Sequence, residues 1–277
     1  MPTIHPSTLV SGEVDLADDV VIGPSCVLDG PIRIGPGTRL IGHVYLQGPL
    51  TLGAANVVYP FSTIGFAPQS VSYDPQKPGR GTVIGDRNTF RESVTIHRAM
   101  TDDGPTRIGN DNLLMVNAHV GHDGCIGDRC VFANCACTGG HVTIEDRVTI
   151  GGMTAIHQFV RIGHGAMLSG AVGLTMDLPP HFMLTGINVA GSINLIGLRR
   201  GGASREEIDD VRWVYRTLYR SGLTMPQALV CLRERAGRPK VAEYIRFMEV
   251  SKRGICHGNA RRAKRNMIGD QSATADV

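Results

Sequence analysis

A mainly β chain wound as a solenoid and finished by a small α-helical domain is what the sequence predicts, on three observations. An apolar residue recurs at every sixth position over most of the chain, glycine repeatedly follows it, and the pattern stops at Pro179-Pro180, where helical spacing takes over. The register runs Ile4, Val10, Leu16, Ile22, Leu28, Ile34, Leu40, Leu46, Leu52, Val58 and Ile64, then slips and resumes at Ile84, Phe90 and Ile96. It skips one hexad near Asp102 and continues through Ile108, Leu114, Val120, Ile126, Phe132, Thr138, Ile144, Ile150, Ile156, Ile162, Leu168 and Leu174. Only Thr138 breaks the apolar character, which sets chance aside.

A period of six fits neither the 3.6 of a helix nor the two of a half-buried strand. It fits three short, flat strands per turn of a triangular prism, with the apolar residue pointing to the prism axis. Glycines such as Gly23, Gly35, Gly53, Gly85, Gly109, Gly127 and Gly163, with other turn-forming residues, are expected to supply the corners. This is the pattern of a left-handed parallel β-helix, its handedness carried over from proteins with the same hexapeptide repeat.

Taken in order, residues 1–190 are expected to form the prism. The aperiodic stretches 65–83 and 99–107 read as loops thrown out from it, of the kind that often carries function on a rigid scaffold. Each inward residue contributes about 1.5–3 kcal/mol of burial, but only against the coils above and below, so stability is collective. Residues 191–255 read as a helical domain. A capping box, Ser204 with Glu207, opens a helix from Ile208 to Tyr219; a second runs Met225 to Arg235 and a third Lys240 to Lys252. Residues 256–277, with Arg261-Arg262-Ala263-Lys264-Arg265, read as a basic, mobile tail.

Composition excludes several classes. With 35 glycines, 5% aromatics and 42% hydrophobic residues the chain is globular and rich in corners, unlike a helical bundle. No basic segment leads into an apolar run at the start and no stretch could span a bilayer, so a cytoplasmic protein without an integral membrane segment is expected. A net charge of +3 gives no reason to expect nucleic acid as a partner. The seven cysteines read as reduced, mostly buried thiols, and Cys135 and Cys137 are too close in sequence for a zinc-binding pair, so the cysteines suggest no metal site, and no cofactor is expected.

The stretch Asn117-Ala118-His119-Val120-Gly121-His122-Asp123, followed one coil later by Thr138-Gly139-Gly140-His141, concentrates the chemistry. His122 and Gly140 are each third in their hexads and share one side of the prism. Strands of adjacent coils lie ~4.8 Å apart, so the Gly140 backbone should pass beside His122. His141 follows on the same strand, His157 lies on that side one coil further, and His119 is placed at the corner before His122. Two chemical readings compete. A neutral imidazole can act as general base while the bare glycine amide holds a developing oxyanion, or clustered imidazoles can bind zinc. On a regular strand Asp123 would face away from His122.

These segments, together with Arg91-Glu92-Ser93-Val94-Thr95-Ile96-His97-Arg98, Ile150-Gly151-Gly152-Met153-Thr154-Ala155-Ile156-His157-Gln158-Phe159 and a three-helix end, resemble the acyl-ACP:UDP-N-acetylglucosamine O-acyltransferase family of lipid A synthesis, over about residues 1–255. The resemblance implies a homotrimer with active sites between adjacent prisms, moving a 3-hydroxyacyl group from acyl carrier protein to the 3-hydroxyl of a UDP-sugar. It implies His122 as general base, Asp123 as its orienting partner and the Gly140 amide as oxyanion donor. His119, His141, His157, Gln158, Gln69, Asn194 and Arg200 would contact substrates, and Gly170 would set acyl-chain length. Arg199 and Arg200, read as helix-start charges, would suit a phosphate or an acidic carrier protein.

The chain departs from the family at Ser70 and Ser72, where an Asp and a Lys are usual, at Ile196 in place of a glutamate, and at Gly201 in place of a second arginine. A modified sugar nucleotide is therefore a second candidate acceptor. The related N-acyltransferase carries a domain ahead of its hexads, which here begin at Ile4. A γ-carbonic-anhydrase-like hydratase has a His-x4-His pair that this sequence lacks. A non-catalytic scaffold is the remaining alternative.

Overall fold

The computed structural model describes residues 1–77 and 79–258 and has the solenoid that the hexads require. Among the described residues three sheets form the sides, of twelve, nine and eight strands, and each strand of the solenoid pairs in parallel with the equivalent strand of the next coil. Partners such as Thr3 with Val21 and Val120 with Thr138 keep the hexads in exact vertical register. From Ile22 to Leu174 the inward residues are at most 4% exposed. The open first coil is the exception: Ile4 and Val10 are 41% and 48% exposed because no coil lies beneath them.

The corners are made differently from the expectation. From Asp111 onward, every sixth residue (Asn117, Asp123, Arg129, Cys135, His141, Arg147, Met153, Phe159, Gly165, Ala171) adopts a left-handed conformation with φ between 55° and 64°. Only one of them is glycine, so the packed coil imposes on ordinary side chains a conformation they rarely adopt alone. The glycines that follow the apolar residue are needed for another reason. A Cβ on Gly23 would collide with the Ile41 carbonyl, and one on Gly127 with the Asp146 carboxylate, because the next coil passes directly over them.

The two breaks in period are loops, between strands Thr63–Phe66 and Thr82–Ile84 and between Thr95–His97 and Thr106–Ile108. Beyond Pro180 the chain does not turn helical at once. An antiparallel hairpin, Phe182–Gly186 with Val189–Ile193, extends the twelve-stranded sheet across residue 190. Among the described residues four helices follow: α1 (Leu195–Arg200), α2 (Arg205–Tyr219), α3 (Met225–Arg233) and α4 (Pro239–Glu249). The short α1 was not expected, and it places Arg199 and Arg200 in a last turn rather than at a helix start. Phe182 packs under Tyr215, Tyr219 and Tyr244 at 5.2, 5.7 and 5.3 Å between ring centroids, joining prism and helices in one core. Cys256 is buried and His257–Gly258 pairs with the hairpin, so these residues belong to the fold, while the rest of the expected tail lies outside the described residues. The cysteines are all unpaired, but Cys125, Cys135 and Cys137 are exposed, since their positions in the hexads turn them outward.

Candidate functional site

Vertical register decides which side chains meet. His122, Gly140 and Gln158 occupy one column, and Asp123, His141 and Phe159 the next, at a corner of the prism. The imidazole of His122 fills the space that Gly140 leaves: a Cβ on Gly140 would fall among the ring atoms Cε1, Nε2 and Nδ1. His141 stands nearly perpendicular to His122, 5.2 Å between centroids, and stacks flat on Phe159 at 4.4 Å.

Asp123 does not face away. Its φ of 55° turns the chain at the corner, breaks the strand alternation and brings Oδ2 to 2.7 Å from His122 Nδ1. A carboxylate only accepts, so Nδ1 carries the proton and Nε2 is left as the basic nitrogen. Burial works to raise the Asp123 carboxyl, but hydrogen bonds from His122, the Met100 amide and the Thr101 hydroxyl and amide together hold it below the usual carboxylate range.

His119 lies on the strand His119–Val120, not at a corner. Its Nδ1 is 2.7 Å from Thr95 Oγ1, and its ring meets the edge of His97 at 4.9 Å. Burial, with charge repulsion from neighbouring imidazoles, pushes His97 down to about 4 and lowers His119; burial also lowers His141. These three rings are thus neutral near pH 7.

The Gly140 amide is open, as are those of His122, Asn134, Gly152 and Gln158 at the same hexad position among the described residues. On another edge, the amides of Ala54, Asp86, Asn110 and Asp128 are each captured by the Asp or Asn side chain of the next coil. Among the described residues, the Gly140 N–H has no such acceptor.

The remaining expected residues are dispersed. His157 is exposed, its Nδ1 3.2 Å from Arg253 Nη2, and Gln158 is exposed above Gly140. Gln69 is exposed in the first loop. Asn194 and Arg200 line a different cleft of about 890 Å³, beside Arg129, Arg147 and Lys240, whose walls include none of the His122 cluster. The Asn194 side chain is committed to the fold, accepting from the Gly197 amide at 2.9 Å and donating to the Gly165 carbonyl at 3.0 Å. Gly170 sits exposed directly over Gly152. His97 and Phe159 received no role from the sequence, although counting hexads places Phe159 over His141. Met100, Thr101 and Thr106 lie in or beside an aperiodic loop, where counting gives nothing.

His122, Asp123 and His141 also place one metal-ligating atom each within 4.8 Å of one another. That is one donor short of a closed zinc site, and both Asp123 oxygens already accept hydrogen bonds.

A hexad prism with a histidine and carboxylate set against a bare glycine backbone defines a hexapeptide-repeat transferase. A family described as UDP-N-acetylglucosamine O-acyltransferase, domain 2, matches residues 177–256. The UDP-N-acetylglucosamine acyltransferase of Francisella novicida is 34% identical, with 94% of this chain and 96% of that chain covered and a TM-score of 0.89. The O-acyltransferase of Moraxella catarrhalis is 36% identical over 91% of this chain and 99% of its own, TM-score 0.86. The Arabidopsis enzyme is 28% identical over 92% and 98%, TM-score 0.79. The chain belongs to the UDP-N-acetylglucosamine O-acyltransferase family and is an O-acyltransferase. Among the described residues no helix is long and apolar enough to cross a membrane.

Proposed function

We propose that the protein transfers a 3-hydroxyacyl group from acyl carrier protein to the 3-hydroxyl of UDP-N-acetylglucosamine, the first step of lipid A synthesis. His122 Nε2 takes the proton of the sugar hydroxyl as its oxygen attacks the thioester carbonyl. The Gly140 amide steadies the oxyanion of the tetrahedral adduct. Collapse of the adduct expels the carrier thiolate, which recovers the proton from the His122 imidazolium. Asp123 holds the tautomer and offsets the imidazolium charge. The observation that carries this reading is the His122 ring lying against Gly140 with its Nδ1 2.7 Å from Asp123.

In this reading His119, His141, His157, Gln158 and Gln69 contact the substrates, and Gly170 bounds the acyl chain. Asn194 and Arg200 reach the substrate from a neighbouring copy of a homotrimer, which fits their place in a separate cleft. His122→Ala is expected to lower kcat roughly 10²–10⁴-fold while leaving the fold intact. Turnover of acyl carrier protein thioester at the parental rate would remove His122 from the role of base.

Ser70 and Ser72 support a second acceptor. Their hydroxyls lie 2.9 Å apart and satisfy each other, leaving no charge where relatives usually carry an acid and a base. The assay run with the ordinary and the 3-amino UDP-sugar separates the two. Stoichiometric zinc in the purified protein, with CO₂ hydration, would favour a metal-dependent hydratase instead.

A further inference from the structure

We propose that Thr101 is a positioning residue for the His122–Asp123 pair, and that through it the loop 98–105 couples the orientation of His122 to the loop carrying Gln69. The inference rests on His122 being the base. A carboxylate offers about four lone-pair sites, and Asp123 has a donor for each. The Thr101 hydroxyl and amide reach Oδ1 at 2.8 and 3.1 Å, while the Met100 amide and His122 Nδ1 reach Oδ2 at 3.0 and 2.7 Å. Three of the four donors thus come from one loop. The next residue after that loop holds the other end of Asp123, its amide donating to Thr106 Oγ1 at 2.9 Å.

The loop is itself fastened. The Ala99 and Thr106 amides both donate to the Gly81 carbonyl, at 3.0 and 3.1 Å, and Arg80 Nε donates to the Asp102 carbonyl at 3.1 Å. A Cβ on Gly79 would collide with the Ala99 carbonyl, so the two loops lie backbone against backbone. A shift of the loop that bears Gln69 is transmitted through Ala99 and Thr101 to the Asp123 carboxylate, and from there to the imidazole.

The decisive variant is Thr101→Val, which keeps shape and removes one donor. The loss of one hydrogen bond to a charged acceptor is expected to lower kcat about ten-fold, with KM changed less than about two-fold. A carboxylate short of one donor draws the imidazole proton more strongly, so the acid limb of the kcat/KM profile moves to higher pH. The other titratable groups around the pair, His97, His119 and His141, with Asp103 beside His141, are unchanged in the variant. Thr101→Ser, which restores the hydroxyl, returns both rate and profile. The titration of the His122 ring, followed by NMR in the substrate-free protein, shifts in the same direction in Thr101→Val. An unchanged His122 titration, or a rate loss that Thr101→Ser does not recover, overturns the role of Thr101. That outcome is separate from failure of the base assignment, which is read from His122→Ala alone.

Discussion

Gly140 leaves a space that the His122 imidazole occupies, and that one absence of a side chain sets both the position of the ring and the access to the amide behind it. Gly140→Ala is therefore expected to push the ring out of line and to lower kcat roughly 10²-fold, with an unchanged melting curve; parental activity in this variant would show that the base does not depend on the space Gly140 leaves. The pairing of residues 122 and 140 was legible because the repeat is strict. The contact between His122 and Asp123 was not, because strand alternation does not carry through a left-handed corner, and the spacing does not mark one there. Thr138, the one polar residue in the apolar register, finds its reason only in three dimensions: its buried hydroxyl accepts from the Gly121 amide at 3.2 Å, directly below the site.

Helix α2 opens where its capping box said it would, the Ser204 hydroxyl accepting from the Glu207 amide and the Glu207 carboxylate accepting from the Ser204 amide. The helix starts before Ile208 because the box itself supplies its first turn. Ser204→Ala is expected to cost about 1 kcal/mol, read as a lower denaturant midpoint with unchanged kcat. Helix α1 escaped notice because six residues are too few to show a period; what defines it is Asn194, which caps it while bonding the Gly165 carbonyl of the prism. The hairpin escaped for a similar reason, since Phe182–Gly186 and Val189–Ile193 follow neither the hexad nor a helical spacing.

Across the whole molecule, buried imidazoles make stability depend on pH. His97 titrates near 4 when folded and near 6.5 when unfolded, so above 6.5 its contribution is complete. As pH falls from 6.5 towards 4 the unfolded chain takes up a proton that the folded chain refuses, and stability is lost across that window. His119, His141 and His164, lowered by burial, act in the same direction. Thermal melts through this window are expected to show a falling midpoint, and His97→Phe to flatten the fall; a midpoint that rises on acidification would contradict the buried, neutral state of these rings. By itself the sequence determined the prism, its register, the two loops, the capped helix and the vicinity of His122 to Gly140, because a repeat of fixed length converts counting into position. The tertiary structure alone decided the turn of Asp123 towards His122, the loop donors that fill its carboxylate and the separate cleft of Asn194 and Arg200. Those depend on corner conformations and on contacts between aperiodic segments, for which no spacing in the chain provides a rule.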